Sequence, residues 1–138
     1  MFKKLAICSI LFMSVLGHAD NLKDIQIACL VNKNARSCST LGLMHKCGLG
    51  TKEDKPMAAM YYWEACNGGE SSGCYEAGNM HYMGDGVEKD YFAAAFFYEK
   101  ACDGGEAFGC TSLGVMYLAG QGVERDPIKA AVLFKKGL

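Results

Sequence analysis

A period of 36 residues runs through most of this chain and constrains its fold more than any other feature. Cysteine, glycine and aspartate positions return three times at this spacing. They are Cys38, Cys74 and Cys110; Gly42, Gly78 and Gly114; Gly48, Gly84 and Gly120; and Asp54, Asp90 and Asp126. So many coincidences at one period predict tandem structural units. We place these units at residues 37–72, 73–108 and 109–138.

Each unit is predicted to contain two helices joined by a short turn. In the second unit, Cys74, Ala77 and His81 share one helical face. Gly84 follows where a left-handed helix end favours glycine, and Asp90 is suited to cap a second helix, because its carboxylate can accept the free amides of the first turn. We therefore predict an all-α fold, an α/α solenoid of about three 36-residue helix-turn-helix repeats.

The N-terminus has the pattern of a secretory signal peptide at residues 1–19. Two lysines at positions 3 and 4 precede an apolar run over residues 5–16, and small residues at 17 and 19 suit cleavage after Ala19. A helix over that run would be about 18 Å long, too short to cross about 30 Å of hydrocarbon. We therefore predict a secreted or periplasmic protein that is not attached to a membrane once it has been cleaved.

The charge balance argues against one class of partner. Cleavage after Ala19 would leave 119 residues with a formal charge of −3, because lysine plus arginine falls from 14 to 12 against 15 acidic residues. Such a balance offers no electrostatic basis for binding nucleic acid.

Both ends of the predicted array are incomplete. Residues 20–36 are predicted to form a half repeat, a lone second helix, because Ala28 and Cys29 align with Ala65 and Cys66. Leu138 stands where the next repeat cysteine would fall, with no capping helix after it. We expect the apolar face at 132–134 either to seat a partner or a second copy of the chain, or to fold back on its own unit.

The cysteines predict a disulfide framework, because an exported chain meets an oxidising compartment. Two pairings respect the repeat. One consists of Cys29–Cys38, Cys66–Cys74 and Cys102–Cys110; the other consists of Cys38–Cys66 and Cys74–Cys102. Only the first uses all six cysteines, so we predict that disulfides staple each second helix to the next first helix. Their spacing does not match the short cysteine spacing of zinc sites, and we predict no metal and no cofactor.

Cys47 is predicted to be an unpaired thiol, because Cys8 leaves with the leader and seven cysteines remain. Two roles are open for it. It is either a half-buried thiol with no further role, or the site of an intermolecular disulfide that joins two copies of the chain.

The first helices of a solenoid line a groove that binds extended ligands. Positions one, five and eight residues after each first-helix cysteine are expected to project into it. The polar and aromatic candidates are Ser39, Lys46, Tyr75, Asn79, Tyr82 and Thr111, with Leu43, Val115 and Leu118 beside them. The alternative is a solvated helix face. His45 and His81, at equivalent positions, are predicted to fill interhelical slots with one hydrogen bond each. Aromatic residues are predicted to fill the core: Tyr61, Tyr62, Trp63, Phe96, Phe97, Tyr98 and Phe134.

The third unit resembles the Sel-one-like repeat, a relative of the tetratricopeptide repeat. The resemblance rests on residues 113–123, which read LGVMYLAGQGV, followed by Asp126, Lys129, Ala130 and Phe134. The leader and the paired cysteines resemble the Hcp (Helicobacter cysteine-rich protein) family in particular. That resemblance implies an exported, disulfide-bridged solenoid that binds penicillins and has weak β-lactamase activity, which would contribute to antibiotic resistance.

No catalytic motif supports a dedicated β-lactamase. A serine β-lactamase places a lysine three residues after its nucleophile, and none of the serines at 37, 39, 71, 72 and 112 has one there. Catalytic residues therefore stay unassigned, and whether the chain is an enzyme is open. The ligand is predicted to be a β-lactam or a peptidoglycan-like molecule, or else a peptide or protein held in the groove by a non-catalytic adaptor or secreted host-interaction protein.

Overall fold

A computed structural model describes Cys8 and residues 22–138, and these residues form helices and no strand. The helices are α1 (Leu22–Leu30), α2 (Ala35–Cys47), α3 (Lys55–Asn67), α4 (Ser71–Met83), α5 (Tyr91–Asp103), α6 (Ala107–Ala119) and α7 (Pro127–Lys136). Each helix packs on the next along the chain, so α2–α3, α4–α5 and α6–α7 are three stacked pairs behind α1. The predicted solenoid is confirmed. The predicted leader, apart from Cys8, lies outside the described residues.

Polar caps and glycines set the ends of the helices. The carboxylates of Asp54, Asp90 and Asp126 accept the backbone N–H three residues later, at 3.1, 3.0 and 3.0 Å. These bonds satisfy amides that have no partner within the helix. Gly84 ends α4 in the left-handed region, at φ 67°, a conformation that costs glycine little because it has no Cβ. Both features confirm the turn chemistry expected from the repeat.

A second set of glycines allows the two helices of each pair to approach closely. A Cβ placed on Gly78 of α4 would lie 2.7 Å from the ring of Tyr98 on α5. Gly42 meets the ring of Tyr62 in the same way, and Gly114 meets Phe134. The 36-residue glycine ladder at these positions is therefore a packing requirement, with one aromatic ring seated on one glycine in every pair.

The core is continuous from one repeat to the next. One buried cluster draws on three successive helices: Ala58, Tyr62 and Cys66 from α3; Cys74, Ala77 and Met80 from α4; and Phe97 and Ala101 from α5. Since neighbouring repeats share this apolar surface, each repeat stabilises the next.

Not all of the aromatic residues expected in the core are buried. Tyr61, Phe97 and Tyr98 are buried, but Trp63 and Phe96 are about half exposed. The second helices contact their neighbours on one side only, and these two rings project from the other side. The prediction that they fill the core is wrong.

Three disulfides join the end of a second helix to the start of the next first helix. They are Cys29–Cys38, Cys66–Cys74 and Cys102–Cys110, with Cα–Cα distances of 4.7, 4.5 and 4.5 Å. This is the pairing chosen above. Each bridge lies at the junction between repeats, where it staples one helix pair to the next.

Cys47 is bonded to Cys8, with the two Cα atoms 5.8 Å apart. The uncut chain therefore pairs Cys47, whereas the prediction of an unpaired thiol concerned a chain cut after Ala19. An unpaired Cys47 stays a prediction only for a chain that has been cut after Ala19, because such a chain no longer contains Cys8.

Candidate functional site

The exposed sides of α2, α4 and α6 form what we call the first-helix surface. All six predicted groove residues lie on these helices, and each is at least partly exposed. Three of them, Tyr75, Asn79 and Tyr82, are brought together on the central helix α4. This central group is therefore the part of the predicted groove that the structure assembles.

Lys46 does not offer a free ammonium group to a ligand. Its Nζ lies 2.7 Å from Oε2 of Glu76 on α4, and both side chains are about a quarter to a third exposed. This ion pair bridges the first helices of two successive repeats. Glu76 was not among the residues predicted from the sequence, and its charge neutralises Lys46, which was expected to contact a ligand.

Asn79 is held in one orientation by a buried tyrosine. The hydroxyl of Tyr98 donates to Oδ1 of Asn79 at 2.7 Å. Burial raises the pKa of Tyr98 above its ordinary value, with the nearby Tyr75 and Tyr82 adding to the effect, so the hydroxyl stays protonated and remains a donor. Because Tyr98 fixes the amide oxygen, the orientation of the two N–H donors of Asn79 is also fixed, and these donors can bind a ligand.

Two tyrosines flank Asn79 and extend into a larger aromatic cluster. The ring of Tyr75 lies 5.9 Å from that of Tyr98 and 6.0 Å from that of Phe108. The ring of Tyr82 lies 5.1 Å from that of Tyr91. Such separations are typical of favourable aromatic pairs. We call Tyr75, Tyr82, Tyr91 and Tyr98 the tyrosine cluster. Of these, Tyr98 was predicted to lie in the core, and Tyr91 was not predicted to belong to the site.

The tyrosine cluster is tied to the third repeat by a turn residue. The Tyr82 hydroxyl donates to Oε1 of Gln121 at 3.2 Å. Asp85, which occupies the equivalent turn position one repeat earlier, accepts from Nζ of Lys55 at 2.7 Å. A polar residue at this turn position therefore reaches back to the preceding repeat, a contact that the 36-residue period alone does not show.

The remaining predicted residues contribute less. The Thr111 hydroxyl donates to the backbone carbonyl of Ala107 at 3.2 Å, so its proton is used within its own helix. Ser39 lies one repeat before Tyr75 and is partly exposed, but it is not part of the tyrosine cluster.

The two histidines pack differently from the prediction. His45 stacks on Tyr61, and His81 stacks on Phe97, each with ring centroids 5.3 Å apart. Among the described residues, no group forms a hydrogen bond with either buried ring nitrogen of His45 or with Nδ1 of His81. The expected hydrogen bond is therefore not made at His45, and stacking on an aromatic ring positions both imidazoles.

The described residues contain neither a candidate metal site nor a helix that could span a membrane. No group of three or more histidine, cysteine, aspartate or glutamate side chains is close enough to hold a metal ion. None of the helices described is both long and apolar enough to cross a bilayer.

Comparison with known protein families gives three consecutive matches to the Sel1 repeat, at residues 35–70, 71–106 and 107–137. The chain belongs to the Sel1 repeat family. The matched units begin two residues earlier than the boundaries expected from the sequence, and they coincide with the three helix pairs. No curated protein matches the chain in sequence.

Several solved structures resemble this Sel1 repeat protein. A protective antigen of uropathogenic Escherichia coli, described as displaying an SLR fold, is 29% identical with a TM-score of 0.80, over 83% of this chain and 24% of the antigen. A Sel1 repeat protein of Oxalobacter formigenes is 18% identical with a TM-score of 0.80, over 93% and 54% of the two chains, and shows the shared fold alone. The chain thus spans about a quarter of the first and about half of the second.

The cysteine-rich protein B of Helicobacter pylori is similar over almost its whole length. It is 28% identical with a TM-score of 0.60, over 86% of this chain and 90% of that protein. The likeness to this cysteine-rich protein, together with the Sel1 repeat matches of the chain, confirms the resemblance drawn from the repeat and its cysteines.

Proposed function

We propose that this Sel1 repeat protein acts outside the cytoplasm and binds an extended peptide or protein segment on its first-helix surface. The observation that carries the proposal is the tyrosine cluster around an oriented Asn79 amide. Tyrosine rings give large contact areas at a low cost in conformational entropy, and the Asn79 N–H groups are able to donate to a peptide carbonyl. Sel1 repeat proteins in general bind protein or peptide partners, which supports this assignment.

Replacement of Tyr82 by alanine should weaken binding of a peptide selected on the wild-type protein. The probe is the tightest binder from a display library of random peptides about 12 residues long, enough to span roughly 40 Å when extended. We expect the dissociation constant, measured by fluorescence anisotropy, to rise about tenfold, because an aromatic anchor carries much of the energy of an interface.

The matched control is Thr111→Ala. This change removes a side chain from the same surface whose hydroxyl is bound within its own helix, so the dissociation constant should not change. Equal binding of the peptide to the wild-type and Tyr82→Ala proteins would rule out the tyrosine cluster as the site.

Hydrolysis of β-lactams is a second candidate, implied by the Hcp resemblance. The observation that favours it is a serine paired with a carboxylate beside Tyr75: the Ser72 hydroxyl donates to Oε1 of Glu70 at 3.0 Å. A carboxylate within this distance is placed to accept the hydroxyl proton of an attacking serine.

Turnover of a chromogenic cephalosporin tests this second candidate. We expect slow hydrolysis by the wild-type protein and a fall to the buffer rate in Ser72→Ala. The control is Ser71→Ala, which removes a neighbouring hydroxyl that donates to the Gly104 carbonyl, and its rate should equal that of the wild type. No turnover by the wild type, or equal turnover in Ser72→Ala, contradicts the candidate.

Export would also change the state of Cys47. If the leader is removed after Ala19, Cys8 leaves and Cys47 becomes a thiol that can join two copies of the chain. Protein recovered from the extracytoplasmic fraction should begin at residue 20, titrate one thiol per chain with Ellman's reagent under denaturing conditions, and form a reducible dimer on storage. Cys47→Ser should abolish both the thiol and the dimer. An intact leader, or no titratable thiol in the monomer, contradicts the proposal.

A further inference from the structure

The outer side of the second helices carries exposed apolar residues at repeating positions. Phe96 on α5 and Val132 on α7 occupy the same repeat position and are 50% and 62% exposed. Phe92, one helical turn before Phe96, is 76% exposed. Residues four apart lie on the same face of a helix, so these side chains form a ridge that crosses α5 and α7. We call this ridge, with the side chains around it, the second-helix surface.

The repeat position of Met60, Phe96 and Val132 is exposed in all three repeats. Phe92 and Phe96 are followed by another complete helix pair, α6–α7, and remain exposed. Met60 on α3 occupies the position of Phe96 one repeat earlier and is also exposed, although two helix pairs follow it. Packing of a further repeat therefore does not cover this position.

A cavity opens beside this ridge. It has a volume of about 140 Å³ and lies between α5, α6 and the turn that follows α6. Its lining is largely apolar and aromatic: Phe92, Ala95, Phe96, Leu113, Tyr117 and Val123, with Glu99 as the acidic member. An apolar recess of this shape accepts a single side chain of a partner protein. A lipid bilayer would contact only the exposed ridge and would leave the recess unused.

Lysines outnumber acidic residues around the ridge. Nζ of Lys100 lies 5.2 Å from the centre of the Phe96 ring, and Nζ of Lys129 lies 4.5 Å from that of Tyr117. Lys135 and Lys136 follow Val132 on α7, and the Lys136 ammonium contacts Asp103 at 3.7 Å. Four lysines thus face three acidic residues, Glu99, Asp103 and Asp126, and this excess of positive charge favours an acidic partner.

From this juxtaposition of an exposed apolar ridge, a recess and surrounding lysines, we propose that the second-helix surface is a docking site for an acidic amphipathic helix of a partner protein. An apolar side chain of that helix enters the cavity beside Phe92 and Phe96, and its carboxylates face the lysines of α5 and α7. The ridge residues Phe92, Phe96 and Val132 do not belong to the tyrosine cluster, so the protein has a second site for a second partner.

The test uses two synthetic probes on the full chain. Both are helical peptides of about 12 residues, roughly three turns, with leucines four residues apart; one carries glutamates after the leucines and the other carries lysines. We expect the acidic probe to bind at least about tenfold more tightly than the basic probe, because complementary charge adds to apolar contact. Phe92→Ser should raise the dissociation constant of the acidic probe about tenfold, the effect of losing an aromatic anchor. The double variant K135E/K136E should also raise this dissociation constant, and its effect should grow as the salt concentration is lowered.

The matched control is Phe108→Ser. Phe108 is also an exposed phenylalanine, but it lies at the start of α6 near Tyr75, on the other surface. Phe108→Ser should leave the dissociation constant of the acidic probe unchanged. Since Phe92 and Phe108 are both exposed, neither substitution should change thermal unfolding.

Three results overturn the proposal. The first is no binding of the acidic probe at millimolar concentration. The second is binding to phosphatidylglycerol vesicles that Phe92→Ser abolishes while neither peptide binds, which would assign this surface to a membrane. The third is a concentration-dependent dimer, measured by sedimentation, that Phe92→Ser dissolves, which would assign it to a second copy of the chain.

Discussion

Replacing Cys66 and Cys74 together by serine should lower the free energy of unfolding by about 2.5 kcal/mol, the loop-closure value for so short a bridge. The two cysteines are eight residues apart and join α3 to α4. Both belong to the buried cluster shared by the first two repeats. Loss of the bond therefore frees the junction through which one repeat stabilises the next.

Urea unfolding, followed by circular dichroism, measures this effect. Reductant should lower the stability of the wild-type protein by at least as much as the double substitution does, because it opens the remaining bridges as well. The control is Cys47→Ser in leader-free protein, which breaks no predicted bond and should leave the midpoint unchanged. A double variant as stable as the wild type would show that the bridge does not stabilise the junction.

Replacing Gly78 by alanine should cost about 2 kcal/mol, although alanine favours helices more than glycine does. The added methyl group would lie 2.7 Å from two atoms of the buried Tyr98 ring. Overpacking of this kind typically costs about 1–3 kcal/mol, because rings or backbone must shift. The shift would also strain the hydrogen bond from Tyr98 to Asn79, so peptide binding on the first-helix surface should weaken as well.

A second substitution separates this overpacking from other causes. Tyr98→Leu alone should be destabilising, since it removes a buried ring, but it makes room over Gly78. Adding Gly78→Ala to Tyr98→Leu should then cost less than 0.5 kcal/mol, roughly the size of a neutral surface change. If the cost in the two backgrounds is equal, contact with the ring is not the reason for glycine at this position.

Much of the fold follows from local chemistry that is visible in the chain. The 36-residue ladder marks equivalent positions, and residues such as Asp90 and Gly84 mark helix ends, because caps and left-handed turns depend on a few neighbouring residues. The candidate surface was harder to predict. Its central residues on α4 follow from helical spacing, but Lys46 meets Glu76 across 30 residues of sequence, and no local rule predicts that pair.

The sequence by itself determined the period, the helix pairs, their caps and the pairing of six cysteines, because each depends on spacing along the chain. The tertiary structure decided which side chains meet and which face solvent. Phe96 and Phe97 are adjacent in a helix with aromatic residues on both sides, yet Phe97 is buried and Phe96 is half exposed. The pattern could not separate them, because neighbouring helices alone determine which face is covered. The same reason explains why Asn79 is oriented by Tyr98 and why Cys47 contacts Cys8 in the uncut chain.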